Sequence, residues 1–507
     1  MSDGSSPHAP GDYRIKATNF GPIGDAEVDL RPLTVFVGPS NTGKSYLATL
    51  LYALHRSFHE LVGERAGRTP FVSRMHIATN LDADAARDLQ HWLFPDHGEE
   101  SSPLPDSVRS MVRQSIEDAP GVERHLTEKA CWCFGVDSFR DLVRHGQRAA
   151  ARIGIRVPRP RRSGFLDYSL RVRGENSSLK GRIHGEAPLL GDADPDVLES
   201  VVTNLRDPSG PFRMAVGRDD DWPSEYALLL LTSTIRASLL HPFQQSIYYL
   251  PADRTGVMHS HRVVVSSLIR SAASAGLRPV GELPLLPGVM ADFLDQLLSL
   301  DRIPRRARYR SKSQYRQMSA LAENVERTVL RGAVRTESVA ADYPEFLYRP
   351  LGWKRDLPLT QASSMVSELA PVVLYVRHLV RPGDVLIVEE PEAHLHPAMQ
   401  VEVIGRLAEL VEAGVRVVIT THSEWVLEEL ANLVRRAQVE DHGEAALTPE
   451  RVGVWRFHPP EGKEGDGAHV TELKMDAAGT FEAGYEQVAM DVHNRWADMA
   501  GLTNSPA

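Results

Sequence analysis

The sequence predicts an α/β fold, a mostly parallel sheet interrupted by largely helical insertions. Three observations carry this. Apolar strand-like runs alternate with helical patterns at the start of the chain and again beyond residue 340. The first such run ends in a glycine-rich loop that opens an amphipathic helix. Between the two α/β blocks lie long stretches of mainly helical or irregular pattern. Apolar strands alternating with helices are the mark of a sheet covered on both faces.

In chain order, residues 1–11 are small and polar and are expected to be disordered. Residues 12–60 form the first part of the core. Tyr13 to Thr18 and Ala26 to Leu30 alternate, and Leu33 to Val37 is a largely apolar strand. A helix follows from Lys44, with Leu47, Leu50, Leu51 and Leu54 on one face. Residues 61–245 read as a mainly helical insertion containing one hairpin, Asp167–Val172 and Ser178–Ile183, turning near Gly174. Within it, Gly154 to Gly164 is rich in arginine and proline and reads as an exposed linker. Residues 246–258 return a core strand, 259–339 a second helical insertion, and 340–480 the rest of the core. There, Val385–Val388 and Val415–Thr420 read as buried strands around a helix from Ala398 to Glu412, and residues 481–507 as a closing helix and tail.

The chain has 507 residues, enough for two or three compact units with a sizeable core. Its net charge of −10 argues against a surface that coats nucleic acid throughout. Two cysteines, Cys131 and Cys133, are too few for a disulfide framework and suit a reducing compartment. No apolar run approaches the ~20 residues that span a bilayer, and no secretory leader is visible, so the expectation is a cytoplasmic protein.

Chemistry concentrates in three segments. Gly38-Pro39-Ser40-Asn41-Thr42-Gly43-Lys44-Ser45 is a complete G-x-x-x-x-G-K-S between an apolar strand and an amphipathic helix. Glycines let backbone N–H groups turn inward around phosphate oxygens, and the helix N-terminus adds its dipole. Lys44 would reach the β- and γ-phosphates of ATP, and the Ser45 hydroxyl would ligate Mg²⁺. The run Val385 to Val388 ends in Glu389-Glu390, as a Walker B strand does. By position Glu389 takes the metal and Glu390 orients the attacking water. Val418-Ile-Thr-Thr-His422 ends the next strand with a histidine suited to sensing a phosphate. The expected fold is therefore a P-loop NTPase, and the expected reaction is ATP plus water to ADP and phosphate.

With these residues in view, the chain resembles RecF/SMC-related ABC-type ATPases often labelled AAA. It is most similar to the branch holding the ATPase domain of the overcoming-lysogenisation-defect (OLD) nucleases. The resemblance rests on Glu389-Glu-Pro-Glu-Ala-His-Leu-His-Pro397, Thr420-Thr-His-Ser423, Ile15-Lys-Ala-Thr-Asn-Phe-Gly-Pro-Ile23 and Tyr249-Leu-Pro-Ala-Asp-Arg254. It covers about 12–60, 246–258 and 340–480 and leaves the insertions aside. It implies a head-to-tail homodimer with two ATP molecules between subunits, in which a signature serine of one subunit caps the other's γ-phosphate. The matching segment here is Leu359 to Glu368, with Ser363 and Ser364 as the candidates. Met365 stands where such ATPases usually have glycine. The resemblance further implies a nucleic-acid transaction or control of an effector protein encoded nearby, with bacterial antiviral defence as a setting.

Two basic stretches bear on partners. Arg144 to Arg162 holds seven arginines, and Arg302 to Arg316 holds six together with Lys312, Tyr309 and Tyr315. Arginines interleaved with aromatics suit contact with DNA or RNA, and a solvated surface is the competing reading. Two other functional classes compete with the ATPase head. An OLD-like nuclease would need a metal-binding domain after the ATPase, and the roughly 85 residues beyond His422 are largely needed to finish the sheet. A transporter's ATP-binding subunit would be compact, unlike the long insertions between Lys44 and Ser363. No membrane partner is expected.

Overall fold

The computed structural model describes residues 13–62, 87–89, 91–92, 105–110, 120–144, 150–158, 165–173, 176–184, 243–260, 286–300, 312–338, 344–440, 447–460, 466–476 and 480–481. The polar N-terminus and the closing helix and tail of the sequence reading lie outside these residues.

An eleven-stranded sheet organises the molecule. Its strands are β1 (Arg14–Phe20), β2 (Ile23–Asp29), β3 (Leu33–Val37), β4 (Ala151–Pro158), β5 (Phe165–Arg173), β6 (Asn176–His184), β7 (Ile247–Leu250), β11 (Val385–Glu389), β12 (Arg416–Thr421), β13 (Val452–His458) and β14 (Ala468–Glu472), in the order 6-5-4-1-2-14-13-3-12-11-7. A small second sheet joins β8 (Gly332–Ser338), β9 (Pro344–Pro350) and β10 (Leu357–Pro358).

The sheet is mixed, which corrects the expectation of a mostly parallel one. Strands 13, 3, 12, 11 and 7 run parallel to one another. Strands 6, 5, 4, 1 and 2 form an antiparallel run. Across both sheets, seven of the twelve described pairings are antiparallel. The difference traces mainly to residues 151–184: the expected hairpin is present as β5 and β6, and with β4, which was not expected, it extends the main sheet antiparallel beyond β1. Strand β4, whose second half from Gly154 falls in the stretch read as an arginine- and proline-rich linker, pairs with both β1 and β5. Ala151, Ile153, Ile155 and Val157 are buried while the arginines between them turn away, which is the period-2 pattern of a half-buried strand.

Alternation also explains the central strands, which feed two cores. On β11, Val385 and Ile387 join one core, and Leu386 and Val388 the other. Phe36 and Val418 share the first core. Leu33, Val35, Val417 and Ile419 share the second. Helix α1 (Lys44–Val62) covers the first face, braced by α2 (Pro120–Phe134). Its Leu47, Leu50, Leu51 and Leu54 are all buried, each contributing roughly 1.5–3 kcal/mol of transfer free energy. The second face carries α3 (Gly288–Leu298), α4 (Lys312–Val325), α5 (Ser364–His378), α6 (Pro397–Glu412) and α7 (Glu424–Glu440). Among the described residues no helix is long and apolar enough to cross a membrane.

Candidate functional site

Strands 3, 12, 11 and 7 are adjacent, parallel and nearly in step. Val37 pairs with Thr421, Glu389 with Thr420, and Val388 with Leu250. Their C-terminal ends therefore meet along one edge, the usual place for a ligand in a parallel sheet. The chain leaves these ends as Gly38, His422, Glu390 and Pro251. Residues up to several hundred positions apart in sequence converge there.

The loop after β3 winds tightly. Gly38 and Gly43 have φ of +145° and +98°, and Asn41 +61°. A Cβ at Gly38 would lie 2.4 Å from the Phe457 carbonyl oxygen, and one at Gly43 would lie 2.6 Å from Cγ1 of Ile23. Only glycine allows this backbone and this approach. Pro39, Ser40, Asn41 and Ser45 face solvent, whereas Thr42, Gly43 and Lys44 are buried. The Thr42 hydroxyl donates to the Pro39 carbonyl at 2.8 Å and closes the loop. Lys44 folds back across it, its Nζ donating to the carbonyls of Gly38 and Pro39, both at 2.8 Å. Burial pushes the Lys44 ammonium down to about 8, against the opposing pull of Glu390, Glu392 and Glu389. Three carboxylates thus lie close enough to act on one lysine.

Glu389 is buried at the end of β11. Its Oε2 accepts from the backbone N–H of Ala252 at 3.1 Å, while its Oε1 is buried with no well-formed hydrogen bond. Burial raises its pKa, while Ser45, the Ala252 N–H and Tyr249 act to lower it. A desolvated carboxylate beside a serine hydroxyl at the head of a phosphate loop, with one oxygen unpartnered, is a donor set that fits Mg²⁺.

Glu390 follows with φ +42°, in the left-handed region that a glutamate seldom adopts. Its N–H donates to the Thr420 carbonyl at 2.9 Å, and its Oε1 lies 3.3 Å from Nε2 of His422. Both side chains are about a third exposed, at 38% and 34%, and so open to solvent and ligand.

The structure brings together the loop residues Gly38 to Ser45 with Glu389, Glu390 and His422. Ser363 and Ser364 are placed separately, both exposed at the start of α5. Ser363 is the N-cap, its hydroxyl accepting from the Val366 N–H at 3.4 Å. Met365 is half-buried against the second core.

Four participating residues escaped the sequence reading. Glu392 accepts from the Thr421 hydroxyl at 2.5 Å and the His422 N–H at 2.9 Å, which fastens the end of β12 to the loop after β11. Tyr249 hydrogen-bonds Thr49 at 3.1 Å and reaches Glu389. Arg254 and Glu368 form an ion pair at 2.9 Å, both essentially inaccessible. Tyr249, Arg254, Glu368 and Glu392 all lay within quoted family segments, yet nothing local assigned them a role.

Where they are described, the basic stretches are only partly built into the fold. Arg144 bonds the carbonyls of Pro22 and Asp466. Arg156 makes a two-point contact with Asp167 at 2.8 and 3.1 Å and lies over the Phe165 ring. Tyr315, expected as a stacking aromatic, is half-buried against the second core. Arg152, Lys312 and Arg316 are exposed. Arg148, Arg159, Arg161, Arg162, Tyr309 and Arg302 to Arg310 lie outside the described residues.

No curated protein matches the chain. Among solved structures it is similar to an SMC head bound to the C-terminal winged-helix domain of ScpA, at 11% identity, covering 92% of this chain and 98% of that one, TM-score 0.39. It is also similar to an SMC head with an extended coiled coil bound to the C-terminal domain of ScpA from Pyrococcus furiosus, at 10% identity, covering 95% and 98%, TM-score 0.37. The SMC head domain of Thermotoga maritima matches at 10% identity, covering 91% and 98%, TM-score 0.33. These scores are low, and the functional reading rests instead on the site and on one stretch of sequence. Residues 310–427 match the AAA ATPase domain family, a stretch that takes in Ser363, Glu389, Glu390 and His422 and leaves the phosphate loop to stand on its own geometry.

Proposed function

We propose that this protein is a Mg²⁺-dependent ATPase of RecF/SMC-like ABC type that works as an ATP-sandwich dimer. The observation that carries it is the convergence of the phosphate loop, the carboxylate pair and the histidine on one edge of the parallel strands. There Val37 pairs with Thr421 and Glu389 with Thr420, and His422 lies 3.3 Å from Glu390. The match of residues 310–427 to an AAA ATPase domain supports the same reading independently of the loop.

In this reading the N–H groups of residues 40–45 and the Lys44 ammonium hold the β- and γ-phosphates, giving up the two internal carbonyl bonds of Lys44. Ser45 and Glu389 would hold Mg²⁺, which would supply charge neutralisation at the phosphates. Glu390 orients the attacking water and accepts its proton. His422 contacts the γ-phosphate while steadying Glu390, and its own backbone is steadied by Glu392. Ser363 and Ser364, exposed at a helix start, cap the nucleotide of a second copy. ATP closes the dimer and hydrolysis opens it, which drives a nucleic-acid transaction or switches an effector protein, with antiviral defence as a setting.

Two measurements test this. Purified protein should release phosphate from ATP only with Mg²⁺, and Glu390→Gln should stop release without stopping ATP binding. In that variant, ATP should move the sedimenting species from monomer to dimer, and Ser363→Arg should prevent the shift. An unchanged mass with and without ATP refutes the sandwich, and undiminished hydrolysis by Glu390→Gln refutes the site.

A further inference from the structure

Arg254 lies at the start of a helical turn (254–260) just beyond β7, and its side chain is wholly buried at 0% exposure. Burying a guanidinium is costly unless every N–H finds a partner. Here the partners are four carbonyls and one carboxylate. Nε donates to the Glu368 carbonyl at 2.9 Å. Nη1 donates to Pro251 at 3.0 Å and Glu389 at 2.6 Å, and Nη2 donates to Glu390 at 3.2 Å. Nη2 also lies 2.9 Å from Oε1 of Glu368, whose other oxygen accepts from the Thr255 hydroxyl.

Two of these contacts fall on either side of one strained residue. Glu390 adopts φ +42° with no glycine's freedom to do so, and such a conformation persists only where its surroundings over-determine it. The peptide before its Cα is fixed by Nη1 of Arg254 on the Glu389 carbonyl, and by the Glu390 N–H on the Thr420 carbonyl. The peptide after its Cα is fixed by Nη2 on the Glu390 carbonyl. With both flanking peptides held, the Cα–Cβ bond of Glu390 has one direction, and its carboxylate is aimed toward His422. The same guanidinium grips Glu368 on α5, five residues from Ser363 at that helix's N-cap.

We propose that Arg254 is a positioning residue for hydrolysis. It holds Glu390 in its left-handed conformation and ties that conformation to the helix presenting Ser363. This rests on the reading of Glu390 as the residue that orients water. A lysine would keep the charge and lose the planar fork, so it cannot reach four carbonyls at once. Misplacing a reacting group by about 1 Å costs on the order of a hundredfold in rate, while the hydrogen bonds of Arg254 go to Pro251, Glu368, Glu389 and Glu390 and not to residues 38–45.

The test compares wild type, Arg254→Lys and Glu368→Gln, with Glu390→Gln as reference. Affinity is titrated with a fluorescent ATP analogue, turnover by phosphate release, and folding by thermal unfolding with and without ATP. Arg254→Lys should bind ATP within about threefold of wild type and lose kcat by about a hundredfold. Glu368→Gln, which keeps Arg254 but weakens its hold on α5, should show the same split with a loss of about tenfold. Wild-type kcat in both variants overturns the proposal. So does a loss of binding and turnover together in both, which would make Arg254 a residue of the fold alone. Should Arg254→Lys fail to fold, Glu368→Gln decides by the same criterion. Glu390→Gln that still hydrolyses ATP defeats the underlying reading of the site, and the proposal with it.

Discussion

Glu60, near the C-terminal end of the helix that begins with Lys44, is held by two cations and a histidine. Arg56 Nε and Lys129 Nζ each lie 2.9 Å from its Oε1, and His125 Nε2 lies 3.3 Å from its Oε2. Burial alone would raise its pKa. Hydrogen bonds from His125 and Lys129, with the charges of Lys129 and Arg56, outweigh that and hold the carboxyl at about 2 rather than 4.5. At about 1.4 kcal/mol per tenfold, the charged form is favoured by up to about 3 kcal/mol. With 29% of the side chain exposed, solvent screening brings the expected contribution to about 2 kcal/mol. The sign follows from the depressed value: this stabilisation is complete above pH 4.5 and fades as pH falls toward 2. Glu60→Gln should therefore lower stability by about 2 kcal/mol at pH 7. The gap should hold down to about pH 5 and then narrow, because wild type loses what the variant never had. Urea unfolding followed by circular dichroism at pH 7, 5.5, 4.5 and 3.5 measures it. A gap of the same size at every pH, or none at pH 7, refutes the reasoning.

Three further outcomes follow from the site and the charge pattern. In the proposed site Lys44 faces the β- and γ-phosphates, so Lys44→Ala should weaken ATP binding by roughly a hundredfold or more; titration with a fluorescent ATP analogue checks it, and unchanged affinity would remove the phosphate-loop assignment. Gly43→Ala places a Cβ 2.6 Å from Ile23 at φ +98°, so it should cost about 1–3 kcal/mol in thermal unfolding and impair ATP binding together. Replacing Arg302, Arg305, Arg306, Arg308 and Arg310 with Gln should flatten the salt dependence of DNA or RNA binding and leave ATP affinity unchanged. Wild-type protein that binds neither nucleic acid at low salt with ATP present would turn the proposal toward an effector protein.

Sequence reasoning reached the parts of this site that are written locally. A phosphate loop must place its glycines, lysine and serine within eight consecutive positions, and its flanking strand and helix have their own periodicities. Two adjacent carboxylates after four apolar residues are equally local. Arg254, Glu368 and Glu392 are different: each is an ordinary charged residue whose role appears only when β7, β11, β12 and α5 are brought side by side. The fold divided along the same line. Strands buried on both faces announce themselves as apolar runs, so the parallel half was legible. Ala151–Pro158 has the alternation of a half-buried strand, but from Gly154 onward its arginine and proline share the composition of an exposed linker. Pairing direction, which made the sheet mixed, is not encoded in any single strand.

The place of β3 in the sheet has a consequence for synthesis. Its two neighbours are β12 and β13, which begin at Arg416 and Val452. During translation, at about 5–20 residues per second, Leu33–Val37 leaves the ribosome roughly 20 to 80 s before its first partner strand exists. Throughout that interval an apolar strand with two open edges can pair with whatever it meets. Nascent chains of this protein should therefore depend on holdase chaperones more than their stability when complete would suggest. A chain broken off before Arg416 would carry the glycine-rich loop yet lack β12 beside the strand that leads into it, so interrupted synthesis yields no partly assembled site.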